Sequence, residues 1–125
     1  MAEGLQRTSL VAGAKDGASA YRTIDLGVTG LVVKSSPGNI YSIQGQNINA
    51  AIRYLKVYNK ATAADENDTP VFTLVLPASS VLLNMQFPVG VYFSAGISIR
   101  CTTALADNST AAPTANQTIV NITYK

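Results

Sequence analysis

The sequence GISIRCTT at residues 96–103 alternates apolar and polar side chains along its length. Successive side chains of a β-strand point to opposite faces, so Ile97, Ile99 and Cys101 would share one face and polar residues the other. The β-branched residues favour a strand over a helix. This stretch therefore predicts a β-strand with one face in an apolar core.

The rest of the chain has the same character, with short apolar or alternating segments separated by Gly, Pro, Asn and Ser. Such punctuation predicts short strands and no helix. Besides 96–103, the predicted strands cover residues 21–26, 31–33, 39–47, 50–60, 71–76, 81–87, 91–93 and 118–124. Pro77 and Pro88 are expected to end the strands that precede them.

The order of these segments predicts the fold class. Strands without βαβ alternation indicate an all-β antiparallel sandwich or barrel. Two connections of about ten residues favour an antiparallel β-sandwich of jelly-roll type over a simple meander. Residues 1–20 are rich in Gly, Ala and Ser without a sustained period, which predicts an extended N-terminal arm. We therefore expect an arm at 1–20 and one β-sandwich domain at 21–125.

Charge is scarce in this chain. Charged residues make up 13% of it and hydrophobic residues 47%, and that charged share is about half the share in a typical soluble domain. A surface so poor in charge is expected to be partly covered by a partner. The net charge is +2 and the basic residues are scattered singly, so nothing predicts binding to nucleic acid.

The sequence also predicts where the chain is made. A single cysteine allows no intrachain disulfide, which suits assembly in a reducing cytosol. The chain has no basic start followed by an apolar run, and it has no apolar run of about 18 residues. These features predict neither a signal peptide nor a membrane span.

Residue types that support catalysis or cofactor binding are few. The chain has no histidine, which removes the usual general base at neutral pH and the commonest zinc ligand. Cys101 is predicted to be a buried apolar filler and not a nucleophile. We therefore expect neither enzymatic activity nor a cofactor. The acidic segment 65–68 has oxygen ligands that suit Ca²⁺, but it lacks the turn glycine and distal glutamate of an EF-hand, so a solvated loop is favoured.

Tyrosine is the main candidate for partner contact, because its ring is apolar and its hydroxyl stays wet. Tyr41, Tyr54, Tyr58 and Tyr92 could form a sugar-stacking or protein-contact face, although strand propensity also explains them. Apolar residues of the arm could dock on a neighbouring molecule. The predicted partner-binding residues are Leu5, Leu10, Val11, Tyr21, Tyr54 and Tyr58.

From about Gly38 to Lys125 the sequence carries short motifs at strand edges and turns. They are YLKVYNKAT (54–62), DTPV (68–71), LPA (76–78), FPVGV (87–91), FSAGISI (93–99) and VNITYK (120–125). In these motifs the chain resembles small virion proteins of tailed bacteriophages. None of the motifs holds a catalytic or ligand-binding residue, so the resemblance implies a structural role.

The resemblance implies a capsid decoration (cement) protein, a β-sandwich that binds the outside of the major capsid protein shell and bridges neighbouring capsomers. Such a protein would be made in the host cytoplasm and would lie on the outer capsid surface of the virion. It would associate with itself as a dimer or trimer, without nucleic acid or membrane partners. Two alternatives stay open: a tail, neck or fibre component, and a carbohydrate-binding β-sandwich module whose tyrosines stack on a sugar.

Overall fold

The computed structural model describes residues 17–125, which form eight β-strands and no helix. The strands are β1 (Ser19–Thr23), β2 (Leu31–Lys34), β3 (Gly38–Asn47), β4 (Arg53–Asn59), β5 (Phe72–Leu76), β6 (Leu83–Phe93), β7 (Ile97–Thr102) and β8 (Thr118–Tyr124). The predicted all-β class is confirmed.

The strands form two antiparallel sheets of four strands each. The first sheet has the order β1-β8-β3-β6 and the second has the order β2-β7-β4-β5. The sheets pack face to face: Ile43 of the first sheet and Leu55 and Val57 of the second belong to one core cluster and are fully buried. The molecule is therefore a β-sandwich, as expected from the alternating segments.

Strand β7, in the middle of the second sheet, is buried on both of its faces. Ile97, Ile99 and Cys101 are in the core, as their alternation predicts. Ser98 and Arg100 point to the other face and are also fully buried, because connections between strands fold over that face. Residues that alternate along one strand thus meet two different interiors, one apolar and one polar.

Arg100 holds the polar interior together. Its guanidinium donates hydrogen bonds to the carbonyl of Val28 at 2.8 Å, the hydroxyl of Tyr58 at 3.0 Å and the carbonyl of Ser109 at 2.9 Å. Val28 lies between β1 and β2, and Ser109 lies between β7 and β8. One side chain therefore fastens two connections to the middle of the sheet.

Lys56 of β4 lies directly opposite Arg100 in the register of the second sheet and is also fully buried. Its ammonium donates to the carbonyl of Ala106 in the same β7–β8 connection. Burial, followed by the positive charge of Arg100, lowers the pKa of Lys56 below its ordinary value. Backbone carbonyls thus solvate two neighbouring cations in place of water.

Strand β6 continues through Pro88, so the expectation that a strand ends there was wrong. Residues 87–90 lie opposite the single Tyr41 of β3 and form a bulge. A proline is tolerated there because β6 is an edge strand and the bulge removes it from regular pairing. Gly90 has a φ of 78°, a backbone conformation that residues with a side chain rarely adopt.

The N-terminal boundary also differs from the prediction. Strand β1 begins at Ser19, which pairs with Tyr124, so residues 19 and 20 of the predicted arm belong to the sandwich. The strand ends at Thr23, and beyond it Asp25 makes only an isolated bridge to Thr118. Residues 1–16 of the predicted arm, with Leu5, Leu10 and Val11, lie outside the described residues.

The role of Arg100 can be tested by Arg100→Leu. We expect a loss of about 2–4 kcal/mol of unfolding free energy, because buried acceptors on two connections lose their donor. Urea denaturation measures this loss, and hydrogen exchange should rise in residues 24–30 and 103–117. Arg22→Leu, on an exposed position of β1, is the matched control and should change stability by less than about 0.5 kcal/mol. Equal effects of the two substitutions would contradict this role.

Candidate interaction surface

Cys101 and the acidic residues offer no reactive constellation in the described part of the chain. The thiol of Cys101 is buried in the core, and burial raises its pKa. Its sulfur lies 3.9 Å from the hydroxyl of Thr118. Within residues 17–125, no three side chains of the Cys, Asp and Glu types come together as a metal site. The candidate site is a surface of the sandwich.

No helix long and apolar enough to cross a membrane occurs among residues 17–125.

The carboxylates of the acidic segment 65–68 are hydrogen-bonded to backbone amides of the same loop and to Lys60. One carboxylate oxygen of Asp68 accepts hydrogen bonds from the ammonium of Lys60 at 2.7 Å and from the amide of Asp65 at 2.9 Å. Asp65 in turn accepts from the amide of Asn67. The bond from Lys60 lowers the pKa of the Asp68 carboxyl and raises the pKa of Lys60. These carboxylates therefore already shape the loop.

The four candidate tyrosines of a common face lie on two different sheets. Tyr41 and Tyr92 are on β3 and β6 of the first sheet, whereas Tyr54 and Tyr58 are on β4 of the second. Tyr58 is only 1% exposed, and its hydroxyl accepts the hydrogen bond from Arg100. Tyr58 therefore serves the interior of the domain.

Of the predicted partner-binding residues, Tyr21 and Tyr54 remain partly accessible, but they lie on different sheets. Tyr21 lies on the edge strand β1 and packs against the core, and burial raises its pKa. Tyr54 lies on β4 opposite Val75 of the edge strand β5. The structure thus brings Tyr54, and not Tyr21, next to an exposed apolar side chain.

Residues 69–99 contain no Asp, Glu, Lys or Arg. This segment forms β5, β6 and the beginning of β7. Both β5 and β6 are edge strands, and they lie on the same side of the sandwich because the rings of Phe72 and Phe87 stack with centroids 5.7 Å apart. The two edge strands on this side of the sandwich therefore carry no charged residue. We call residues 69–93 the uncharged edge.

The uncharged edge exposes several large apolar side chains. They are Val71, Val75, Val81, Leu82 and Val89, of which Val89 is 93% exposed. Proteins usually protect exposed sheet edges with charges, prolines or bulges. The bulge at Pro88 protects part of β6, but β5 has none of these devices between Pro70 and Pro77. Strand β5 is therefore open to contact with a partner.

The sequence alone could have indicated this surface, because residues 69–99 form a run of 31 residues without a charged side chain. The prediction considered only the scattering of basic residues and missed the run. The pairing of two edge strands on one side could not be derived, because it depends on the strand order in both sheets.

Comparison with protein-family models gave no match, and comparison with curated proteins gave none. The resemblance to phage virion proteins stays a prediction.

The ion pair of the acidic loop makes stability depend on pH. Because the pKa of Asp68 is lowered on folding, its contribution is present above the ordinary value of 3.8 and is lost as pH falls through the lower folded value. Asp68→Asn should therefore lower the unfolding free energy at neutral pH, with the difference from the unsubstituted protein shrinking below pH 3.8.

Urea denaturation across this pH range measures the effect. Glu66→Gln removes the same charge from an exposed residue of the same loop and is the matched control. An equal loss of stability in both variants would show that net charge, and not the Lys60 contact, is responsible.

Proposed function

We propose that this chain is a non-enzymatic virion structural protein of the capsid decoration (cement) type. It binds the outside of the major capsid protein shell and bridges neighbouring capsomers. The observation that supports this function best is the uncharged edge, where large apolar side chains are exposed on one side of the β-sandwich. The resemblance of residues 38–125 to virion proteins supplies the identity of the partner.

The strand order supports a jelly roll. Eight antiparallel strands lie in the orders β1-β8-β3-β6 and β2-β7-β4-β5, and the chain crosses between the sheets at nearly every connection. Eight strands in two sheets connected as Greek keys characterise jelly rolls, which occur in viral capsid and lectin domains. This likeness concerns the fold, so the function is argued from the surface.

The uncharged edge suits a shell partner energetically. Fully burying a valine or leucine side chain contributes about 1.5–3 kcal/mol, whereas a surface ion pair contributes about 0–1 kcal/mol. Contacts of this kind hold at any salt concentration, since they involve no charge to screen. Many symmetric copies on one shell make modest individual contacts collectively strong.

The rigid second sheet helps such a surface to bind. Arg100 and Lys56 fasten the β1–β2 and β7–β8 connections to strands β7 and β4. All five residues of β5 in turn pair with β4. A surface that is ordered before it binds loses little conformational entropy in the complex.

A tail, neck or fibre component is the second candidate, because the same edge would suit a ring or trimer interface. Copy number separates the two. Mass analysis of purified virions should find this chain at a number comparable with that of the major capsid protein. A few copies per particle would overturn the decoration role and assign the chain to the tail, neck or fibre.

Val75→Lys tests the uncharged edge. Val75 is 47% exposed on β5, and a lysine there would place a charge in the contact. We expect binding to shells lacking the protein to weaken at least about tenfold, equivalent to about 1.4 kcal/mol. Co-sedimentation with such shells measures binding. A Val75→Lys variant that binds as well as the unsubstituted protein would exclude this edge as the shell contact.

Val32→Lys is the matched control, because Val32 is a similarly exposed valine on β2, the opposite edge strand of the same sheet. This variant should bind shells normally. Sedimentation velocity of both variants also tests the predicted dimer or trimer, since loss of self-association in Val75→Lys alone would place that contact on the same edge.

A further inference from the structure

The outer face of the first sheet carries rows of amide and hydroxyl side chains. In the register of the three strands β8, β3 and β6, Gln44 lies between Asn121 and Asn84. The next row has Ser42 between Thr123 and Gln86. We call these six residues the amide face. They point away from the core because Ile43 and Ile122, their neighbours along the strands, are buried in it.

The four amide side chains of the amide face, those of Gln44, Asn84, Gln86 and Asn121, are exposed in the part of the chain that the structure describes, residues 17–125. The corresponding face of β7 and β4 in the second sheet is instead covered by connections. The side-chain amides of Gln44 and Asn121 make no hydrogen bond to other described residues. Within the face, the amide of Gln86 donates to the side-chain oxygen of Asn84 at 2.8 Å, and the hydroxyls of Ser42 and Thr123 lie 2.6 Å apart. Neighbouring strands lie about 4.8 Å apart, so the six side chains form a regular array in which the amides of Gln44 and Asn121 are the free donors and acceptors.

None of the six residues is charged, and the nearby cations lie at the margins. Arg22, on the edge strand β1, pairs with Asn121 at the end of one row, and Lys125 follows the end of β8. A strongly charged ligand would find no counter-ion at the centre of the face. Each amide instead offers both a donor and an acceptor, which matches a ligand rich in uncharged hydroxyl groups.

Two tyrosines extend the amide face at one end. Tyr41 precedes Ser42, and a side chain at Gly90 would lie only 2.9 Å from the Tyr41 ring, so the bulge of β6 packs closely beside this ring. Tyr92 lies opposite Asn39 and is 65% exposed. Exposed aromatic rings offer flat apolar surface with a polar edge, which suits stacking against a sugar ring.

We propose that the amide face, together with Tyr41 and Tyr92, binds a neutral glycan. The amides and hydroxyls of β8, β3 and β6 hydrogen-bond the sugar hydroxyls, and the tyrosines contact the apolar faces of sugar rings. A protein partner fits this face less well, because the cores of protein interfaces are rich in apolar side chains and the six residues of the amide face are all polar. Exposed apolar side chains are concentrated on the uncharged edge.

The test uses the isolated full chain and therefore does not depend on shell binding. A glycan array carrying neutral and anionic glycans is probed first, followed by NMR titration with cellohexaose, maltohexaose and the best neutral glycan of the array. We expect binding to neutral glycans, with chemical-shift changes confined to β3, β6 and β8. An array without a neutral ligand, or one that binds anionic glycans alone, would overturn the proposal.

Substitutions locate the site. Gln44→Ala combined with Asn121→Ala should weaken glycan binding at least about tenfold, and Tyr92→Ala should weaken it as well. Both variants change exposed side chains, and thermal unfolding verifies that they fold. Asn67→Ala combined with Asn108→Ala removes two exposed amides from loops and should leave binding unchanged. Undiminished glycan binding by the Gln44/Asn121 variant would exclude the amide face.

Discussion

The buried guanidinium of Arg100 is the interaction on which the shape of this sandwich depends. It lies in the middle of the second sheet and donates to carbonyls of two separate connections and to the hydroxyl of Tyr58. A buried cation without such acceptors would be very costly, so the connections must stay folded over the sheet. The middle strands β7 and β4 of the second sheet are therefore covered on their outer face, whereas the edge strand β5 and the outer face of the first sheet are exposed.

This arrangement also explains why so little charge reaches the surface. Arg53, Lys56 and Arg100 are all buried on the second sheet, which leaves fewer basic side chains for solvent than the composition indicates. The described acidic residues lie in connections between strands, where the carboxylates of Asp68 and Asp65 accept hydrogen bonds from backbone amides. Large areas of both sheets are consequently uncharged, and interactions there must rely on apolar contact or on neutral hydrogen bonds.

Two such areas differ in chemistry and serve different partners in our proposals. The uncharged edge exposes valine and leucine on and beside the edge strands β5 and β6, which suits a protein shell. The amide face exposes side-chain amides and two tyrosines, which suits hydroxyl-rich ligands. Strand β6 belongs to both areas, since Asn84 and Gln86 face outward from the sheet while Val89 lies in its bulge. The bulge at Pro88 therefore shapes the boundary between the two areas.

The sequence by itself determined the all-β class, the approximate positions of the strands and the inward-facing residues such as Ile97, Ile99 and Cys101. These follow from alternation along a single segment, which is a local property. The tertiary structure alone decided the rest. It continued β6 through Pro88 because that strand is at an edge, and it separated Tyr58 from Tyr92 because the strands carrying them belong to different sheets. It also buried Arg100, which the alternation placed only on the face opposite Ile97, Ile99 and Cys101. Pairing, edge position and coverage by connections arise from contacts between residues distant in the chain, and no local pattern encodes them.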